Sequence, residues 1–497
     1  MRPSRTAWLR RALLAGALAL GLLIPAAVRA AGPTAVTEPA AGPLLSWETG
    51  EDKSYLIPAL EIGGFVFGLN QFNRTFLDDH RDYDTDIHTF GRNLRTEPVY
   101  DQDPFSVNQI GHPYQGSIYY GAARSAGLSY WESLLYTIGG SFLWETYGET
   151  TPPSINDHIA TGIGGTFVGE ALFRMASLLL EGGGQTPGVW RELGAAVISP
   201  PTGVNRLAFG DRFKPVFPSR DPEVFVRLRI GATLTSSVEN EGLPQDVKRQ
   251  EGSADFAITY GLPGKPGYRY TRPFDHFHFE FTAVPNASSV GNAIENVSIR
   301  GLLLGTGYAW GDDYRGLWGL FGGYDYLSPQ IFRVATTNVL LGSVGQWWLS
   351  PSVALQGTAL GGIGFGAAGT VADRAERDYH FGLIPHTLLG LRVIFGERAM
   401  LEANGRHYFV AGTGSGPGAS TSDFGAETIA RGTVGLTVRL YGPHAIGLHY
   451  VVSSRDARVR DRSDRHQEVE TISLSYNFLG HSRFGAVEWR PDATGLR

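Results

Sequence analysis

Eight residues of this 497-residue chain, His112, Arg124, Glu145, Glu149, Asp157, His158, Glu170 and Arg174, stand in a stretch otherwise poor in charge, and all but His158 and Arg174 are candidates for chemistry. Charges in apolar surroundings need partners, so a network is expected. Glu145 and Glu149 are four apart, one helical turn, and repel each other unless a cation lies between them. That cation could be Arg124, His112 or a metal. Two carboxylates and a histidine can hold a metal ion, or divide acid and base roles if burial separates their pKa values. Asp157, three residues after Ser154, reads as a helix cap, and Glu170 with Arg174 as a local ion pair. The competing reading is a structural network locking helices together. It is preferred because the chain has no HExxH, no GxSxG elbow and no P-loop, and no metal or cofactor is assigned.

A second group, His276, His278 and Glu280, alternates along one strand. Residues two apart in a strand are about 6.6 Å apart, wide for shared ligation though feasible with long side chains. In a barrel that face is the lumen, where polar residues are required anyway. The group is therefore read as a lumen polar cluster.

The elements that would position these residues are of two kinds. From residue 223 onward apolar residues recur with period two: Val224, Val226, Leu228 and Ile230, then Phe277, Phe279 and Phe281, then Val434, Leu436 and Val438, then Ile472, Leu474 and Tyr476. Weaker versions fill the gaps and bring the count to about twelve strands over residues 223–479. Their length suits membrane-spanning strands of ~9–11 residues better than the shorter strands of a sandwich. Aromatics such as Trp310, Tyr324, Tyr326, Trp347, Trp348, Tyr379, Tyr408, Tyr441, Tyr450 and Tyr476 fall near strand ends, as interfacial girdles would. A soluble β-sandwich is the competitor. Residues 112–181 change to helical grammar, with Ser129 and Glu132 forming a capping box, Pro113 opening one helix and Gly182-Gly183-Gly184 ending another.

Composition sets the compartment. Residues 1–30 carry Arg2, Arg5, Arg10 and Arg11, then an apolar run and a cleavage site after Ala30, the three parts of a secretory signal. No later stretch is expected to supply a spanning helix. The chain has no cysteine, which excludes disulfides and thiolate sites, and its arginines form no basic block of the kind that nucleic acid attracts.

The expected fold is α+β, mostly β: an antiparallel up-and-down transmembrane β-barrel of about 12 strands preceded by a small helical domain. Its parts are a signal peptide (1–30), an irregular N-terminal segment with one helix (31–110), a helical domain (111–181), a Pro/Gly-rich linker (182–222), the barrel (223–480) and a C-terminal tail (481–497). Twelve strands leave room for about one helix inside, so most of the helical domain is expected on the periplasmic side.

Asn108-x-x-x-His112-Pro113-Tyr114-x-Gly116, Tyr119-Tyr120, Ala123-Arg124, Gly140-Ser141 and Trp144-Glu145 form one string. Pro153-Ser154-x-Asn156-Asp157, Gly164-Gly165, Gly169-Glu170, Arg174 and Pro201-x-Gly203-x-Asn205-Arg206 continue it. Over roughly residues 99–210 this resembles the bacterial domain of unknown function 3943 family. The resemblance implies export and outer-membrane association in bacteria with two membranes, and supplies no activity.

The function expected is a channel, transporter or envelope scaffold in the outer membrane, with outer-membrane lipid and a periplasmic protein as partners and no nucleic acid. The alternative is an outer-membrane enzyme acting on lipid or glycan through the His/Glu/Arg centre.

Overall fold

Strict alternation in the second half makes twelve strands, each pairing with its sequence neighbours and the last with the first. A computed structural model of the protein describes residues 44–77, 80–101, 103–184, 186–240, 250–284, 293–371, 376–412, 425–459, 464–480 and 483–489. The expected signal peptide lies outside them. The chain forms two units, a helical one ending at Ser219 and a barrel beginning at Arg220.

The strands are β1 Val224–Asn240, β2 Gln250–Tyr260, β3 Phe277–Ala283, β4 Ile294–Trp310, β5 Tyr314–Leu327 and β6 Phe332–Ser350, then β7 Val353–Thr370, β8 Tyr379–Phe395, β9 Ala399–Gly412, β10 Gly425–Tyr441, β11 His444–Val459 and β12 Arg465–Phe478. They form a closed antiparallel barrel in which β1 pairs with both β2 and β12, with Leu228 opposite Phe478 and Leu234 opposite Ile472. A closed ring has no free edge, which excludes the sandwich. Outward side chains such as Leu341, Leu389, Leu448 and Leu474 are exposed and apolar. On β2 and β3 the outward Phe256, Ile258, Phe277 and Phe279 are buried.

The interior is filled rather than open to a helix. At the end with the short β6–β7, β8–β9 and β10–β11 turns, Phe484, Ala486 and Val487 from the segment after β12 pack on Phe225, Ile394 and Met400. Gly485 O accepts from Gln356 Nε2 at 2.8 Å and Glu488 O from Trp348 Nε1 at 3.1 Å. The tail is thus in part a plug. At the other end Ile331, between β5 and β6, packs on Leu327, Ile384 and Val410, and its carbonyl accepts from Gln467 Nε2 at 3.2 Å. Of the ten aromatics expected in girdles, five are exposed and five are buried. Trp310, Trp347, Tyr441, Tyr450 and Tyr476 are exposed, whereas Trp348, Tyr408, Tyr324, Tyr326 and Tyr379 are buried. Adjacent residues of a strand face opposite ways, so Trp347 and Trp348 could not both point outward.

The helical unit departs from the expected boundaries. Among the described residues the N-terminal segment holds two α-helices, Leu56–Phe76 and Ile87–Asn93, the second capped by Asp86, whose Oδ1 accepts the Thr89 N–H at 2.7 Å. The segment read as a linker holds helices Val189–Ile198 and Pro200–Ala208. Its Pro200 and Pro201 start a helix, where the missing N–H is not needed. Pro113 instead sits inside a helical run, because a π-helical turn, Val107–Gly111, leads directly into His112–Ser125. The Ser129–Glu132 capping box forms and opens Tyr130–Leu143. Contrary to expectation, the run Ile155–Glu181 is long and apolar enough to cross a membrane by length and composition. Its most apolar stretch is 78% buried by the protein, as in a core helix.

Candidate functional site

Three π-helical turns, Val107–Gly111, Trp144–Gly148 and His158–Gly164, interrupt the central helices. His112 follows the first, Glu145 lies in the second, and Asp157 precedes the third. Such turns re-aim side chains and concentrate at functional sites. The helices carrying His112 and Asp157 touch through glycine: a Cβ on Gly116 would lie 2.0 Å from Thr161 O. That contact carries His112 to Asp157, with Nε2 3.5 Å from Oδ1, and to Thr161, with Nδ1 3.0 Å from Oγ1.

His112, Glu145 and Asp157 are all buried, and each offers a ligand atom within 4.8 Å of the others'. Ser154 Oγ caps the helix by accepting the Asp157 N–H at 3.2 Å. The reciprocal half of the box comes from elsewhere: Glu145 Oε2 accepts the Ser154 N–H at 2.9 Å. Asp157 is therefore not simply a cap, and its Oδ1 accepts from Asn156 Nδ2 at 2.9 Å. Glu149 accepts from Trp144 Nε1 at 3.0 Å and from Thr151 at 3.1 Å. Glu145 Oε1 is buried with no hydrogen-bond partner.

Burial, and then the neighbouring carboxylates, push Glu145 and Asp157 well above the usual carboxylate range and Glu149 up to about 8. Burial holds His112 down at about 4. Burial thus disfavours charge on both partners of the His112–Asp157 contact. Asp101 and Asp103 add to the repulsion and were missed by sequence reasoning. An Asp-x-Asp just before the first π-helical turn was the available signal.

Arg124 does not belong to this centre. Its Nε lies 2.9 Å from Glu170 Oε2, and Arg174 Nε lies 2.7 Å from Glu170 Oε1. Tyr120 donates to the same carboxylate at 2.7 Å, and both guanidiniums lie over the Phe217 ring. Glu170 is thus the hub of a separate, fully paired structural network, and the two groups of candidates do not form one constellation.

In the barrel, His276, His278 and Glu280 border one interior cavity of about 120 Å³. Arg227, Arg229, Arg300, Arg392, Arg406 and Arg431 also border it, against only Glu280 and Glu402. Arg227 lies 2.8 Å from Glu402, Arg229 2.6 Å from Asp255, Arg406 3.1 Å from Asp325 and Arg431 3.0 Å from Glu295. Arg300 lies 3.3 Å from the same Asp325 and Arg392 3.7 Å from the same Glu402. Six guanidiniums thus share five carboxylates, Glu280 among them at 3.6 Å from Arg229. The Nε atoms of Arg227 and Arg300 are buried with no hydrogen-bond partner. These arginines stand on the polar face of the alternation, so the pattern marked the face without marking the cluster.

No curated protein matches the chain. Among solved structures, a NanC porin is 8% identical with a TM-score of 0.23, over 50% of this chain and 98% of the porin. The outer-membrane channel DcaP of Acinetobacter baumannii is 8% identical with a TM-score of 0.25, over 52% of this chain and 97% of that one. The toluene transporter TodX of Pseudomonas putida is 9% identical with a TM-score of 0.20, over 52% and 90%. Likenesses this slight carry no argument about solute or mechanism. Residues 97–201, which hold every candidate of the helical unit, match the family model described as domain of unknown function (DUF3943), and that segment of the chain is a DUF3943 domain.

Proposed function

We propose that the chain is an outer-membrane β-barrel of the channel or transport kind whose interior cavity takes small anionic solutes. The observation that carries this reading is the gathering of six arginines around one cavity, where their five partner carboxylates leave one guanidinium in excess. Rings of arginine select anions, and guanidinium forks match carboxylate and phosphate oxygens. The apolar outward flank supports the membrane setting, with lipid as its partner. The packed segments at both ends make passage a gated event.

The test is reversal potential in a planar bilayer under a KCl gradient, using the refolded, heat-modifiable barrel. Chloride preference is expected, weakened in Arg392→Gln. A folded barrel with no conductance would overturn the transport reading and leave the scaffold role.

Glu145 favours a second reading, an enzyme acting on lipid or glycan, because a buried carboxyl with one free oxygen beside a neutral histidine suits proton transfer. Glu145→Gln with fold and export intact separates the two. An unchanged phenotype, beside a loss on deletion of the whole chain, eliminates the enzyme.

A further inference from the structure

We propose that His112, Glu145 and Asp157 of the DUF3943 domain ligate a divalent transition-metal ion of the Zn²⁺ or Mn²⁺ class. The site is independent of the transport reading, since it lies wholly in the helical unit. Its three ligand atoms fall within 4.8 Å of one another. An ion placed centrally among them would sit within about 2.8 Å of each, and an inward shift of about 0.6–0.8 Å per ligand brings it to the ~2.0–2.2 Å of Zn–N and Zn–O bonds.

Each ligand is held by an outer partner, as metal ligands are. Thr161 Oγ1 lies 3.0 Å from His112 Nδ1, which leaves Nε2 for the ion. Asn156 Nδ2 donates to Asp157 at 2.9 Å, and the Ser154 N–H donates to Glu145 Oε2 at 2.9 Å. The other oxygen, Glu145 Oε1, has no protein partner although the residue is only 3% exposed. A buried acceptor without a donor is costly, and a cation between it and Asp157 removes that cost.

Charge points the same way. Among the described residues no Lys or Arg pairs with Glu145, Glu149 or Asp157, whereas Glu170 in the same unit takes two arginines. The centre concentrates carboxylates with nothing cationic except what binds there. The donor set chooses the ion. Imidazole disfavours Ca²⁺ and Mg²⁺, which take oxygen, and a chain without cysteine offers no thiolate to softer ions.

The test uses the full chain in detergent, stripped with chelator and titrated with Mn²⁺ followed by electron paramagnetic resonance. One equivalent should bind with coupling to a single ¹⁴N, and the spectrum should be unchanged in the lumen variant His278→Ala. Glu145→Gln should weaken binding at least about tenfold. Should that variant not fold, the ¹⁴N coupling in the wild type and its persistence in His278→Ala decide alone. No stoichiometric Mn²⁺ or Zn²⁺ on the folded wild type, bound Mn²⁺ without ¹⁴N coupling, loss of that coupling in His278→Ala, or wild-type affinity in folded Glu145→Gln would each overturn the proposal.

Discussion

Gly116 and Gly165 meet backbone to backbone: a Cβ placed on Gly165 would lie 2.5 Å from Gly116 Cα. No side chain fits at this crossing, and it fixes where His112 stands relative to Thr161 and Asp157. Gly116→Ala must push one helix away from the other, at a cost of about 2–3 kcal/mol. The melting temperature of the helical unit should fall, while heat-modifiability of the barrel on gels is retained.

This contact also marks how far the sequence could be read. Alternation located twelve strands, because one residue in two must face an apolar exterior. It could not foresee that Phe484 and Ile331 would turn inward, because a short connection carries no period. In the helical unit, spacing paired Glu170 with Arg174, an interaction local to one helix. It could not tell that Arg124, 46 positions from Glu170, would join that pair rather than Glu145. Nor could it anticipate π-helical turns, which shift the four-residue register on which such reasoning rests.

Glu170 is buried between Arg124 and Arg174, so Glu170→Gln leaves two guanidiniums without a counter-charge. Breaking a buried pair in this way costs about 3–5 kcal/mol, and chemical denaturation of the helical unit should register it. The same carboxyl gives a pH dependence. Burial alone would raise it, but the charges of Arg124 and then Arg174 outweigh burial and hold it below its ordinary 4.5. A folded value below the unfolded one means that the stabilisation is complete above pH 4.5 and is lost as pH falls through the folded value. Melts from pH 6 down to pH 3 should steepen in that window, and Glu170→Gln should abolish the steepening.

Glu61 carries the opposite sign. Burial raises its carboxyl from 4.5 to about 7, outweighing the opposing effect of Asn205 beside it. The folded chain therefore keeps a proton that the unfolded chain releases, and stability declines as pH rises from 4.5 to about 7. Glu61→Gln should be more stable than the wild type at pH 8 by on the order of 2 kcal/mol, and equal to it at pH 4. Equal melting temperatures for the two at pH 8 would refute the shift.

The segment after β12 supplies the last expectation. Phe484 lies edge-on to Phe225 with ring centroids 5.8 Å apart, and Ala486 and Val487 are fully buried in the same interior cluster. Trp348 and Gln356 reach this segment from the wall, so its loss removes two inward hydrogen bonds and opens one end of the barrel. Truncation after Gly480 keeps all twelve strands and the β1–β12 closure. The truncated barrel should remain heat-modifiable and conduct more than the wild type in planar bilayers. Liposome swelling should rise for the smallest solutes first, because the Ile331 cluster still fills the other end of the barrel. Equal conductance in the two forms would mean that the inward-turned segment is no barrier.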